Sequence, residues 1–185
     1  MNREQRSAIL TALIRSLDAN GSWCGETHIQ KATYHLQKLF NLDLGEPFIL
    51  YKHGPYSFEL TEELALLRSD KVLKLVPMPF PYGPKIVLGE LGEKTIRENR
   101  AIVDRFTPAI EFVGKRLADK KVADLEKLAT ALYVTLEFLS SESEAKRAKK
   151  IHELKPHVTI QEAKDAVSEI EQIRKEARSL QVSTS

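Results

Sequence analysis

Apolar residues recur at helical spacing through most of the chain, and the first two such stretches lie before residue 41. The first runs from about Arg3 to Asp18 and ends at Asn20-Gly21, because both of these residues tolerate the left-handed backbone that closes a helix. The second runs from about His28 to Phe40. Thr27 and Gln30 are spaced as a capping box at its start. The pattern therefore predicts two consecutive amphipathic helices.

The next part of the chain alternates short apolar runs with turn residues. Phe48–Tyr51 is a short run typical of a strand, and Ser57 then predicts the cap of a third helix. Val72–Val76 and Lys85–Leu88 read as two strands of a hairpin, joined by the proline-rich tip 77–84. Helix, helix, helix and hairpin is the order of elements in a winged helix.

The second half of the chain carries helical periodicity throughout. A helix is expected to begin near Glu93 and to break or kink at Pro108, which removes a hydrogen bond. Thr159 and Glu162 form a second capping box that opens the last helix. Between the helix that begins near Glu93 and the last helix lies a strongly apolar helix, which we expect to be central. Its leucines are Leu125, Leu128, Leu132, Leu136 and Leu139.

These patterns predict a mainly α protein with a small β-hairpin, in the α+β class. Residues 1–92 form a winged-helix-like domain, and residues 93–185 form a C-terminal helical bundle that packs on it. The last helix, about 160–180, has a moderate apolar seam. That seam also suggests a homodimer.

Composition limits the cellular compartments in which the protein is expected and the classes of partner it is expected to bind. The formal net charge is +2 and neither half is strongly basic, whereas dedicated nucleic-acid binders usually carry a clear excess of Lys and Arg. Cys24 is the only cysteine, so no intramolecular disulfide and no thiol metal cluster is expected. The sequence contains neither an apolar run long enough to span a bilayer nor a signal-peptide pattern at its start. We therefore expect a cytoplasmic protein without a membrane segment.

Motifs that would indicate catalysis are missing from the sequence. There is no glycine-rich phosphate loop, no nucleophile elbow and no pair of histidines at metal-ligand spacing. His28 and His35 are seven residues apart, which is too far for one metal ion. We predict no catalytic residue, no metal and no cofactor.

The turn after the first predicted strand is the most distinctive surface feature. We expect it to contact a protein partner, together with Lys38 of the second helix, because functional residues often lie on such loops. Its candidate residues are Tyr51, His53, Gly54, Pro55 and Tyr56. His53 has a second interpretation, in which its ring hydrogen-bonds the backbone of the turn.

DNA binding is the alternative function, suggested by the winged-helix order and by local basic patches. The third helix argues against groove reading, because Glu59, Glu62 and Glu63 lie near its start and would meet phosphates of the same sign. If nucleic acid is bound, the contacts are expected elsewhere. The candidates are Lys31, Lys115, Arg116, Lys120, Lys121, Lys146, Arg147, Lys149 and Lys150.

Two motifs in the right order resemble a known family. The segment 36–40, Leu-Gln-Lys-Leu-Phe, is followed at 51–57 by Tyr-Lys-His-Gly-Pro-Tyr-Ser. This pattern resembles the Panacea (SocA-type) antitoxin domain and the YwgA-like winged-helix proteins, over about residues 28–67. Leu-Lys-Pro-His at 154–157 is similar to the YwgA-like branch. One departure is Tyr56, because the antitoxins usually have valine after Gly-Pro.

The resemblance implies a regulatory or antitoxin-like module that acts through protein contacts, often encoded beside toxin or defence genes. It implies no enzyme activity. The sequence thus favours a protein partner, keeps nucleic acid as the alternative and leaves the identity of the partner open.

Overall fold

The computed structural model describes residues 1–80, 83–138 and 141–183, and this part of the chain forms eight helices and two small antiparallel hairpins. The helices are α1 Arg3–Ala19, α2 Glu26–Phe40, α3 Phe58–Ser69, α4 Gly92–Glu98, α5 Arg100–Leu117, α6 Val122–Glu137, α7 Glu144–Leu154 and α8 Ile160–Ser183. The strands are β1 Ile49–Tyr51, β2 Gly54–Tyr56, β3 Leu73–Val76 and β4 Lys85–Leu88. The predicted class, mainly α with a small β-hairpin, is confirmed.

The N-terminal half contains one hairpin that the sequence predicted and one that it did not. β3 pairs with β4, with Leu73 opposite Leu88, as the apolar runs indicated. β1 pairs with β2, with Ile49 opposite Tyr56, and the turn between them is Lys52-His53. The segment of β2 had been interpreted as a turn because it contains Gly-Pro. The hairpin β1–β2 carries the candidate partner-contact residues.

Two of the three helix caps predicted from the sequence are confirmed. Ser57 caps α3 by accepting from the backbone N–H of Leu60, and Thr159 accepts from the N–H of Glu162 at the start of α8. The capping box at Thr27 was wrong, because α2 begins earlier and its cap is Gly25. Gln30 does not turn back to the helix start; its side-chain amide binds the backbone of Ser57 instead.

Of the break or kink expected at Pro108, the break does not occur. The interruption lies at Asn99, between α4 and α5, and α5 continues through Pro108. Pro108 is exposed, so the carbonyl that loses its helical partner lies on the solvent side of the helix. Leu139 of the predicted central helix, like Pro81 and Tyr82 of the predicted hairpin tip, lies outside the described residues.

The two halves of the chain share a core. α1 packs along α5, and one cluster of buried side chains takes residues from both sides of position 92, such as Leu13 and Ile110. A second cluster lies among α6, α7 and α8. The apolar seam of α8, including Val167 and Ile170, is buried there within the chain. That seam is therefore already occupied, although it had suggested a homodimer.

Within the part of the chain that the structure describes, no helix combines the length and the hydropathy required to cross a membrane.

Gly114 lies where α5 packs against α1, and an added Cβ at this position would collide with the side chain of Ser16. We expect Gly114→Leu to force the helices apart and to lower the free energy of unfolding by more than about 3 kcal/mol. Lys115→Leu is the matched control, since Lys115 is the next residue of the same helix and is exposed. Urea unfolding measures both variants, and an equal effect at the two positions would contradict the close packing.

Candidate functional site

The hairpin β1–β2 is seated against α6 by a glycine. Gly54 has φ +84°, and a Cβ at this position would lie 3.2 Å from Oγ1 of Thr130 and 3.4 Å from the carbonyl oxygen of Glu126. Only glycine adopts this backbone without strain and also leaves room for the helix. The glycine of the His-Gly-Pro motif is therefore explained by packing, since both Gly54 and Pro55 are buried.

A buried lysine of α2 holds the second strand of the hairpin. Lys31 is only 2% exposed, and its Nζ donates to the carbonyl oxygen of Pro55 at 2.8 Å. Burial lowers the pKa of Lys31 to about 8, while the nearby carboxylate of Glu126 acts in the opposite direction. Its ammonium group lies inside the protein and is not on the surface where a nucleic acid would contact it.

A second buried lysine holds the first strand and the turn. Lys155, between α7 and α8, donates from Nζ to the carbonyl oxygen of Tyr51 at 2.6 Å and also to that of Lys52. The same Nζ lies 3.6 Å from Oε1 of Glu126. Glu126 is itself only 6% exposed. Three backbone carbonyls of the hairpin and one carboxylate thus surround two buried ammonium groups.

Two exposed histidines lie over the same carboxylate. Nδ1 of His53 is 3.4 Å from Oε2 of Glu126, and Nε2 of His157 is 3.3 Å from Oε1. Oε1 is within ion-pair distance of its neighbours but accepts no hydrogen bond from the described residues. The hairpin turn and the segment 154–157 form the walls of an open groove above Glu126. In the described ranges, no group of three or more His, Cys, Asp or Glu side chains is placed to hold a metal ion.

The outer face of the hairpin carries an aromatic surface, which we define as Ile49, Tyr51, Tyr56 and Phe58. The centroids of the Tyr51, Tyr56 and Phe58 rings lie between 5.1 and 5.8 Å apart. Tyr51 is 54% exposed and Phe58 is 52% exposed. Ile49 is opposite Tyr56 in the strand register and is also exposed. The three rings therefore form one cluster, and Ile49 lies across the strand pair from Tyr56.

The polar edge of the aromatic surface is ordered by hydrogen bonds. The hydroxyl of Tyr56 lies 2.6 Å from Oγ1 of Thr61 and donates to Glu26 at 3.2 Å. Glu59 and Glu62 are exposed on the first turns of α3, beside Phe58. The border of the patch on the α3 side is therefore acidic.

Lys38 lies away from this hairpin. It is seven residues, about 10 Å, beyond Lys31 on α2, and its Nζ pairs with Glu137 of α6 at 2.9 Å. The structure thus brings together Tyr51, His53, Gly54, Pro55 and Tyr56 of the predicted partner site, and places Lys38 at another position.

Most of the basic candidates are engaged within the chain. Arg147 is buried and binds Thr135 and Glu171, so it is not a surface residue. Four others form ion pairs with carboxylates, namely Arg116 with Glu176, Lys120 with Glu169, Lys146 with Glu142 and Lys150 with Glu153. Lys115, Lys121 and Lys149 are exposed. These pairs reduce the positive charge that the basic patches present to solvent.

Sequence reasoning missed Glu126, Lys155 and His157 as parts of the site. One signal for them was present in Leu-Lys-Pro-His at 154–157, which had been noted only for its resemblance. A second signal was a carboxylate within the apolar helix α6, at Glu126. Neither signal indicates that these residues meet the hairpin.

Comparison of the chain with models of known protein families gave no match, and comparison with curated protein sequences gave none either. The resemblance to the Panacea and YwgA-like proteins therefore stays a prediction.

Gly54→Ala is expected to lower the free energy of unfolding by about 2 kcal/mol or more, because it adds a left-handed alanine and a contact with α6. Gly21→Ala is the control, since Gly21 has φ +81° but an added Cβ would meet no atom within 4 Å. This control should lose only about 1 kcal/mol. Urea unfolding compares the two, and equal losses would contradict the packing of Gly54 on α6.

Glu126→Gln is expected to lower the free energy of unfolding by about 3 kcal/mol, because two buried ammonium groups lose their carboxylate. Glu169→Gln removes a partner of Lys120 in a more exposed ion pair. It should change stability by less than about 1 kcal/mol. If chemical denaturation at neutral pH found similar effects for both variants, the buried charge cluster would not stabilise the fold.

Proposed function

We propose that this chain is a non-catalytic regulatory module that binds another protein through the aromatic surface. One observation carries the proposal: the rings of Tyr51 and Tyr56 on a hairpin held from beneath contact the ring of Phe58 at the start of α3, and two of the three, Tyr51 and Phe58, are about half exposed. Aromatic side chains bury much area on binding and have few rotatable bonds, so they dominate many protein interfaces. An exposed group of them is a common mark of an interaction site.

The support beneath the rings strengthens the proposal. A hairpin with three residues in each strand is marginal by itself, so its geometry depends on its anchors. Lys31, Lys155 and Gly54 supply those anchors on the inner side of the hairpin. A surface that is already ordered loses little conformational entropy when a partner binds.

The family resemblance supports the same surface. The His-Gly-Pro motif at 53–55, on which the resemblance to antitoxin-type modules rests, lies in the hairpin that presents the aromatic surface. The acidic border formed by Glu59 and Glu62 favours a partner with basic residues around an apolar centre. We therefore propose a role like that of an antitoxin or a defence-associated regulator.

DNA binding remains our second proposal, and it rests on the winged-helix order of the elements. α3 presents Phe58, Glu62 and Leu66 on exposed positions, which suits a protein surface better than phosphates. The ion pairs of the basic patches add to this preference. A mobility-shift assay at low salt with random and upstream DNA tests it, since electrostatic binding is strongest there.

The double variant Tyr51→Ser with Phe58→Ser is expected to lose its partner in a pull-down from the native host. The loss should reach about 2 kcal/mol of binding energy or more, as for central aromatic residues of an interface. Phe80→Ser is the control, because Phe80 is 98% exposed but lies on the β3–β4 hairpin. Quantitative mass spectrometry compares the three baits. A partner retained equally by all of them would contradict the proposal.

A further inference from the structure

A small cavity lies on the other side of the start of α3, between α1, α2 and the segment 44–46. Its volume is about 180 Å³, and it shares no lining residue with the groove above Glu126. Because a water molecule takes up about 30 Å³ in the liquid, the cavity has room for about six waters or an organic molecule of similar size. It is independent of the aromatic surface.

Two polar atoms in the cavity wall have no partner. Thr33 is 0% exposed, and its hydroxyl makes no hydrogen bond within the described residues. The same holds for Oε2 of Glu46, which is buried although the residue as a whole is not. Buried polar groups are almost always paired, so water or a small polar ligand in the cavity is expected to bind these two atoms.

The carboxylates around the cavity differ in how far they are satisfied. Glu63 accepts from the hydroxyl of Ser7 at 2.7 Å and from Nε of Arg3 at 3.3 Å, and Glu59 accepts from the hydroxyl of Ser57 at 3.3 Å. Burial, together with the charges of Glu63 and Glu59, raises the pKa of Glu46 to about 7, although the charge of Arg6 and a hydrogen bond from Ser57 act in the opposite direction. Arg6 therefore offsets the burial of this carboxyl only in part.

One guanidinium is also present in the wall. Arg6 lines the cavity and lies over the backbone of Gly45, where a Cβ would come within 2.8 Å of Nη1. A guanidinium offers five donors in a fixed fork and suits a carboxylate. The cavity thus combines an acid whose burial is offset only in part, a hydroxyl without a partner among the described residues and a donor for an anion.

We propose that this cavity binds a small α-amino acid, with the ligand's ammonium group donating to Glu46 and Thr33 and its carboxylate accepting from Arg6. An ammonium group has three donors and so can serve both unpaired oxygens. The volume has room for a ligand of about six non-hydrogen atoms, as in glycine or alanine. This site goes beyond the proposed protein interaction and does not depend on it.

Binding of such a ligand is linked to a proton. The ammonium group requires ionised Glu46, so the site releases a proton when the ligand binds below a pH of about 7. Affinity should fall by up to about tenfold for each pH unit below that value. Above it, affinity should level off.

Isothermal titration calorimetry on the full chain at about pH 8 tests the proposal with four probes: glycine, alanine, methylammonium and acetate. Glycine and alanine should bind in the millimolar range or more tightly, methylammonium should bind more weakly, and acetate should give no heat. Absence of binding by every ammonium compound would overturn the proposal and leave only water in the cavity.

Two variants test whether the ligand lies beside Glu46 and Thr33. Glu46→Gln and Thr33→Val should each weaken glycine binding by at least about tenfold, equivalent to about 1.4 kcal/mol. Glu144→Gln, an exposed carboxylate at the start of α7, should leave binding unchanged. Binding that is equally strong in Glu46→Gln would overturn the assignment even if glycine is bound.

Stability without ligand supplies a readout that does not depend on binding. The pKa of Glu46 is raised in the folded state, so the fold favours the protonated carboxyl. The contribution of this proton to the free energy of unfolding is complete below about pH 4.5 and is lost as the pH rises through about 7. Glu46→Gln stays uncharged. In urea unfolding, the free energy of unfolding of the variant minus that of the natural chain should therefore be more favourable to the variant at about pH 8 than at about pH 5. An equal difference at both pH values would contradict the buried, repelled carboxylate on which the site depends.

Discussion

The buried ammonium groups of Lys31 and Lys155 are the interaction on which the candidate site depends. Removing such groups from water is costly, and the cost is offset only where hydrogen bonds and an opposite charge surround them. Here, carbonyl oxygens of the β1–β2 hairpin, including those of Tyr51 and Pro55, provide the hydrogen bonds, and Glu126 provides the charge. The lysines therefore need the hairpin in this position as much as the hairpin needs them.

This anchoring also fixes which side chains face outward. Side chains alternate across a strand, so Leu50 and Pro55 face the protein while Ile49, Tyr51 and Tyr56 face solvent. A slip of one residue would turn the aromatic surface inward. The buried lysines bind particular carbonyls and so oppose such a slip. The patch therefore keeps its orientation although each strand has only three residues.

Features that depend on neighbouring residues could be predicted from the sequence. Contacts between residues far apart in the chain could not. Helix periodicity, the cap at Ser57 and the β3–β4 hairpin follow from neighbouring residues, and they were predicted. The bond from Lys155 to the hairpin joins residues 104 positions apart, and no local pattern indicates it. The burial of Lys31 and of Arg147 could not be predicted from the sequence for the same reason. A lysine or arginine on a polar helix face suggests solvent, and only the fold shows that a carbonyl or carboxylate surrounds it. The turn at 51–57 was identified as distinctive, but Glu126 beneath it was not.

The start of α3 connects the aromatic surface with the small cavity. The side chain of Gln30 holds Ser57 from both sides, donating to its carbonyl oxygen at 2.8 Å and accepting from its N–H at 2.9 Å. Phe58 then belongs to the aromatic surface, while Glu59 lines the cavity. Because these two hydrogen bonds fix the backbone at Ser57, they also set the positions of the next two residues, Phe58 and Glu59. One contact made by α2 therefore orients a ring of the aromatic surface and a carboxylate of the cavity wall, which no local sequence pattern joins.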